Sequence, residues 1–241
     1  MSIEKCCSNS IRDKLLYEIT EGVFSDCSKL PREIELSEKL GISRTHLRDV
    51  LPSLEREGFI TRIHGSGTYI NRHVLEVKNR MDIETEFLDI IKQSGYEAAY
   101  SFIDVTECRA DEKVADKLKI DVDMPVIRIC LMCTANGKPA IYAEDYIDKR
   151  RLKADYEKEE HNYNVFEFLK KFCNDEAYMD LTELHPVIAD EKLAKLFETF
   201  IGTPLLNMEE VDYNIKGMPI FYSKQYFADG YVNHTVLRKR L

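Results

Sequence analysis

Residues 43–58, SRTHLRDVLPSLEREG, are the stretch on which the fold turns. Leu47, Val50, Leu51 and Leu54 fall at i, i+3, i+4 and i+7, one apolar stripe on a helix of period 3.6. Ser43 suits the N-cap of that helix and Gly58 its stop. Arg44 and Arg48 lie four apart on the opposite, wet face, with Thr45 and His46 beside them. Pro52 stands past these basic turns. Its ring and missing N–H predict a bend of the trailing end, at a cost of about 3 kcal/mol partly relieved by bending.

Outward from this helix, the neighbours supply a pattern. Upstream, Ile11, Leu15, Ile19 and Val23 place an apolar stripe on a first helix, about residues 10–22. After Pro31, the segment REIELSEKL closes at Gly41, leaving only a tight turn before Ser43. Downstream come FITRI, HGSG and TYI, a strand, a glycine turn and a second strand. Helix, helix-turn-helix and hairpin, in that order, make a winged helix. Its third helix would enter the major groove of DNA, and its hairpin tip would approach the backbone or minor groove.

This run, about residues 10–71, resembles the DNA-binding domain of the GntR family of bacterial transcription regulators. The resemblance implies base and phosphate contacts from Arg44, Thr45 and Arg48, with His64 and Gly65 of the wing. Ser43, His46 and Ser66 complete the expected interface. The family usually has arginine where this chain has Ile34, so Arg32 is expected to replace that contact. Arginine pairs bidentately with guanine, and N–H groups at a helix start or glycine turn suit phosphate.

The 241 residues are 44% hydrophobic and 32% charged, the composition of an ordinary folded protein of two modest domains. The net charge is −9, all of it beyond residue 75, since residues 1–75 balance 11 basic against 11 acidic side chains. A neutral first part can approach a polyanion through a local basic face, whereas the acidic remainder would repel one. No apolar run approaches the roughly 18 residues of a membrane span, and MSIEKCCSNS lacks the pattern of a signal peptide. A cytoplasmic protein with no membrane partner is expected, and its seven cysteines are expected to be reduced thiols.

Residues 71–80, NRHVLEVKNR, lack a clear period and read as a linker. The expected division is therefore a DNA-binding domain over 1–72, a linker over 73–80 and a second domain over 81–241. A helix is expected at about 82–94, stopped by Gly95. Beyond it the chain repeats itself. ADEKVADKL from Ala110 recurs as ADEKLAKLF from Ala189, and NGKPAIYAEDYI (136–147) recurs as KGMPIFYSKQYF (216–227). Each copy reads helix, strand, turn, strand, which predicts one antiparallel sheet covered by helices, with a pocket where the halves meet.

That region resembles the UTRA effector-sensing domain of the HutC subfamily, whose fold is like that of chorismate lyase. The whole is thus expected to be α+β, a winged helix-turn-helix joined to a chorismate-lyase-like antiparallel sheet domain with helices. The resemblance implies a homodimer, matched by its two-fold symmetry to inverted-repeat double-stranded DNA, acting as a repressor under a small-molecule effector. The closing TVLRKR matches the family's basic last strand. Where polar-effector members carry an Arg-x-Arg pair, this chain has Leu131 and Cys133; where they carry Ser-x-Thr, it has Glu86 and Leu88. Other contact positions fall on Ala143, Phe221 and Phe227, while Asn164 keeps a polar group. These residues predict an apolar, aromatic cavity, filled by a hydrophobic molecule or collapsed. A phosphosugar is disfavoured because no arginine would offset its desolvation.

No cofactor, metal or catalytic group is expected. Cys130 and Cys133 form a lone C-x-x-C whose side chains would point to opposite faces of a strand. Cys6 and Cys7 read as exposed thiols, EKEEH (157–161) as a solvated loop, and His161, His185 and His234 as scattered. An effector-independent DNA-binding protein and a lyase-like enzyme on the second fold remain the alternatives, because fold analogy alone does not fix function.

Overall fold

The computed structural model describes residues 3–156 and 163–239, which leaves EKEEH and the side chains of Cys6 and Cys7 outside the described residues. The chain forms two compact units, Met1–Ile83 with His234–Leu241, and Glu84–Asn233.

In the first unit, α1 (Ile3–Thr20) is followed by α2 (Glu33–Leu40) and α3 (Arg44–Arg56). A hairpin of β1 (Ile60–Ile63) and β2 (Gly67–Ile70) comes next, then the single turn α4 (Arg72–Leu75). Leu15 and Ile19 of α1 pack with Leu36 and Leu40 of α2 and with all four stripe residues of α3. Gly41 takes φ +66°, the left-handed turn that lets α3 begin three residues later. Ser43 accepts from the His46 N–H at 3.2 Å, and α3 runs through Pro52 to Arg56. One expected core residue is corrected: α1 ends at Thr20, the chain re-phases, and Val23 lies 71% exposed while Phe24 is buried.

The stretch expected to be a patternless linker does structural work in this unit. The Arg72 guanidinium donates to the carbonyls of Ile19 (2.5 Å), Cys27 (2.7 Å) and Phe24, where α1 ends. The closing residues also pack here, unlike the division expected from the sequence. Arg80 bridges Thr235, and Lys239 Nζ donates to the carbonyls of Glu55 and Arg56 at the C-terminal end of α3. A cation at that end meets both the orphan carbonyls and the negative pole of the helix.

The second unit begins with α5 (Phe87–Gln93), shorter than the helix expected at 82–94, with Glu86 at its N-cap. The first repeat follows as β3 (Ala98–Arg109), α6 (Glu112–Leu118), β4 (Pro125–Ala135) and β5 (Lys138–Asp148). After α7 (Val165–Phe168), which continues as a π turn over Leu169–Cys173, the second repeat is β6 (Met179–Ile188), α8 (Glu191–Leu196), β7 (Pro204–Tyr213) and β8 (Pro219–Ala228). Each copy therefore carries a strand before its helix that the sequence did not announce. The Asp of each ADEK motif caps its helix, Asp111 accepting from the Val114 N–H at 2.7 Å and Asp190 from the Leu193 N–H at 2.8 Å.

The six strands form one antiparallel sheet in the order β3-β4-β5-β8-β7-β6, with the two copies meeting at β5 and β8. The duplication extends to irregularities, since β4 bulges at Cys133/Thr134 and β7 at the matching Asp212/Tyr213. Side chains alternate between faces. One face, with Cys130, Met132, Tyr142 and Tyr222, packs under α6 and α8. The other, with Val105, Ile127, Ile129, Ile147 and Phe221, packs under α7 and its π turn. Cys130 thus faces α8 while Cys133 faces away from it, as alternation requires, and the five described free cysteines include both. Among the described residues, no helix is long and apolar enough to cross a membrane.

Candidate nucleic-acid interface and effector face

The sequence-predicted DNA residues come together on the surface of the first unit. Arg44, Thr45, His46 and Arg48 are all exposed on the side of α3 opposite its buried stripe. Arg48 Nε donates to Glu33 Oε2 at 3.0 Å, whereas Arg44 has no hydrogen-bond or ion-pair partner among the described residues. Arg32, exposed, occupies the N-cap position of α2 without capping it through its side chain. At the wing tip, His64 and Gly65 are exposed, and Gly65 takes φ +74°, a conformation that favours glycine. Ser66 is half-buried, its hydroxyl 2.6 Å from that of Tyr69.

Sequence reasoning missed Lys29 at this tip. Its ammonium donates to the Ser66 carbonyl and lies 5.2 Å from the Tyr69 ring centroid. The signal lay in strand pairing rather than in a motif: Lys29 bridges Tyr69, placing a cation beside the glycine turn.

In the second unit, Leu131, Cys133, Ala143, Phe221 and Phe227 are buried and share the face away from α6 and α8. Phe87 of α5 meets Phe227 edge-to-face at 6.1 Å, and Phe166 meets Phe221 likewise at 5.6 Å. Leu88 is half-buried on α5. Asn164 forms a capping box with Glu167 at the start of α7, and its side-chain amide donates to Glu86 Oε2 at 3.3 Å. A cavity of about 350 Å³ opens beside these groups, lined by Glu84, Glu86, Phe166, Leu169 and Lys170 among others.

The expectation of an apolar cavity is corrected here. The same face carries Asp145, Glu210 and Asp212, all buried, with Asp180 beside them. Asp145, Ser223, Glu210 and Thr182 stand in one row across four strands, and Phe221, Asp212 and Asp180 in the next. Single-position comparison with polar-effector relatives never touched these residues; strand pairing assembles them.

Residues 93–231 match the UTRA domain family, and residues 7–70 match the bacterial regulatory proteins of the gntR family. The chain belongs to the GntR family. It is a transcription regulator whose second unit is a UTRA effector-binding domain. The transcriptional repressor NagR of Bacillus subtilis is 23% identical over 222 residues, covering 92% of this chain and 90% of the relative. A probable fructoselysine utilization operon transcriptional repressor of Shigella flexneri is 20% identical over 231 residues, covering 96% and 94%. The possible transcriptional regulator YydK of Bacillus subtilis shares the fold with a TM-score of 0.78 at 19% identity, covering 96% of this chain and 99% of that one. The named relatives of this GntR-family chain are regulators, not enzymes.

The acidic face gives the regulator a pH signature. Burial raises Asp145 from 3.8 to about 7, and burial followed by the charge of Glu210 raises Asp212 to about 10. Folded protein thus keeps protons that the unfolded chain gives up near pH 3.8, and this stability, complete below that value, is lost as pH rises through 7 and 10. Glu144 and Glu209 act oppositely. Burial works against ionisation at both, yet hydrogen bonds from Lys192 and Lys113 hold them below 4.5, so their contribution is lost in acid. The melting midpoint of the second unit is expected to peak near about pH 4–5 and to fall steadily toward pH 9. Asp212→Asn should flatten the alkaline fall. Thermal melts across pH at constant ionic strength measure this, and a midpoint that climbs steadily from neutral to alkaline pH would contradict it.

Proposed function

We propose that the chain is a homodimeric repressor that reads an inverted-repeat operator through Arg44, Thr45, His46 and Arg48, with Ser43 and Arg32 at the helix starts and His64, Gly65 and Ser66 in the wing. The observation that carries the reading is the exposed, uncommitted Arg44 at the first turn of a helix whose other face is wholly buried. A guanidinium there reaches O6 and N7 of guanine in the major groove. In this reading residues 1–72 bind DNA in the cytoplasm, and residues 84–233 hold a small-molecule effector on the face beneath α7 and join two copies.

The dimer reading is supported by β6. It is an outer strand, yet Met179, Leu181, Leu184 and Ile188 are each at least half exposed, and Phe200 and Ile201 stand out nearby. An unpaired strand edge with this much apolar surface is what a second copy would cover.

Arg44→Ala tests the DNA reading. Relative to wild type it should lose about 1–3 kcal/mol of operator binding and relax selectivity at one base pair of each half-site. Selection of binding sequences followed by gel-shift titration provides the measurement. Full-strength, equally selective binding by the variant would remove Arg44 from the interface.

A further inference from the structure

The three buried carboxyls on the effector face lack the partners that buried charges ordinarily have. Asp145 and Asp212 are each 2% exposed and Glu210 is 7% exposed. Asp145 Oδ2 and Asp212 Oδ2 have no hydrogen-bond partner among the described residues. The donors that reach this group are uncharged: the hydroxyls of Ser223 and Thr182, the Gln225 amide at Glu210, and a proton shared between Glu210 and Asp212. Ser223 donates to Asp145 Oδ1 at 2.6 Å, and Thr182 lies 2.9 Å from Asp180 Oδ2 and 3.0 Å from Glu210 Oε2. A hydroxyl has one proton, so Thr182 serves one carboxylate at a time. No lysine or arginine pairs with Asp145, Glu210 or Asp212 among the described residues.

Asp145, Glu210 and Asp212 are not among the lining residues of the cavity, which has carboxyls of its own. Glu84 and Glu86 line it, and the charges of Glu210 and Asp180 add to burial in raising Glu84. Lys170, exposed, is the one basic side chain among the lining residues. Orphaned, buried acceptors destabilise a fold unless a donor reaches them, and ionised carboxylates accept most strongly from cationic donors.

The spacing selects among cations. Among the described residues, the acidic and histidine side chains whose ligand atoms converge within 4.8 Å are Glu183, His185 and Glu209. These project to the opposite face, and Lys113 already pairs with Glu209. The carboxyls on the effector face are more widely spread, so they suit a molecule with separated donors better than a bare ion. Phe166 and Leu169 in the same cavity offer apolar surface for a carbon chain.

We propose that this face binds an organic cation: a short molecule with one or more ammonium groups, whose N–H donors meet Glu84 and Glu86 in the cavity, whose charge is held by Asp145, Glu210 and Asp212 on the same face, and whose methylenes lie on Phe166 and Leu169. This rests on the reading that the second unit senses a small molecule, and it replaces the hydrophobic effector expected from the sequence.

The test is isothermal calorimetry and thermal shift on the full chain with 1,5-diaminopentane, agmatine and ethanolamine. Size-matched 1,5-pentanediol and glutarate serve as controls, with calcium and magnesium chloride at equal ionic strength. At least one amine should bind saturably and raise the melting temperature, while the diol and the diacid should do neither. Asp145→Asn and Glu210→Gln should each weaken amine binding about tenfold or more. Should either substitution unfold the unit, Glu86→Gln at the open side of the cavity is the variant that must weaken it. Lys170→Ala should leave amine binding unchanged or tighter. Binding of no amine, stronger binding of glutarate, or stabilisation by the divalent ions alone would overturn the proposal. Operator affinity measured in parallel separates the two readings. Amine binding without operator binding would sink the regulator and keep the cation site, and selective operator binding without amine binding would do the reverse.

Discussion

A chain carrying Leu181→Glu and Ile188→Glu is expected to sediment as a monomer and to bind its operator about 10²–10⁴-fold more weakly than the wild type. Both side chains are exposed in the monomer, 67% and 69%, so the substitutions should scarcely change its folding. Between two copies, however, four carboxylates would have to be desolvated along the β6 edge. Each half-site contact is weak alone. Joining two on one particle makes the second binding event intramolecular, and that gain disappears with the dimer. Sedimentation and gel-shift titration of the same preparation measure both effects. A variant that remains dimeric would move the interface away from β6, while a monomer with undiminished affinity would remove the need for two half-sites.

The second large effect is on stability. Arg72→Ala is expected to destabilise the first unit by about 3 kcal/mol, because it strips a charged donor from three carbonyls at once. Those carbonyls lie where α1 ends and the following turn begins, and only that of Phe24 has a backbone donor as well, the Cys27 N–H at 3.0 Å, among the described residues. Arg72→Lys keeps the charge but not the fork of donors, so it should recover only part of the loss. Denaturant unfolding followed by far-ultraviolet dichroism reads both variants. Wild-type stability in Arg72→Ala would mean that water replaces the guanidinium without cost.

The winged helix was legible because its signals are local. Ser43, the Leu47–Leu54 stripe and Gly58 define α3 within sixteen residues, and the hairpin follows directly from a glycine turn. The outer strands β3 and β6 were not legible. Each lies at an edge of the sheet with charged and half-exposed positions along its length, so neither shows the clean alternation of a half-buried strand. The repeated ADEK helices were visible, and Asp111 and Asp190 perform the same capping role in both copies. Arg72 was hidden for another reason: its partners are backbone carbonyls 45 to 53 residues away, which leave no trace in side-chain pattern.

The effector face divides along the same line. Leu131, Cys133, Ala143, Phe221 and Phe227 share one buried face, and their apolar character could be read directly from the sequence. Asp145, Glu210 and Asp212 stood in plain view within YAEDYI and MEEVDY, where each resembles an ordinary polar strand position. Only the pairing of β5 with β8 and β8 with β7 brings them to one place. Burial then changes their chemistry in a way that no single strand could announce.

The most direct measurement of the central claim is footprinting of the full-length protein on genomic DNA, followed by alignment of the protected segments. The account predicts a shared inverted repeat with half-site centres about 10–10.5 base pairs apart or a multiple of that spacing, and its loss from the Arg44→Ala footprint. Protection without a common sequence, or an undiminished Arg44→Ala footprint on the same sites, would contradict it.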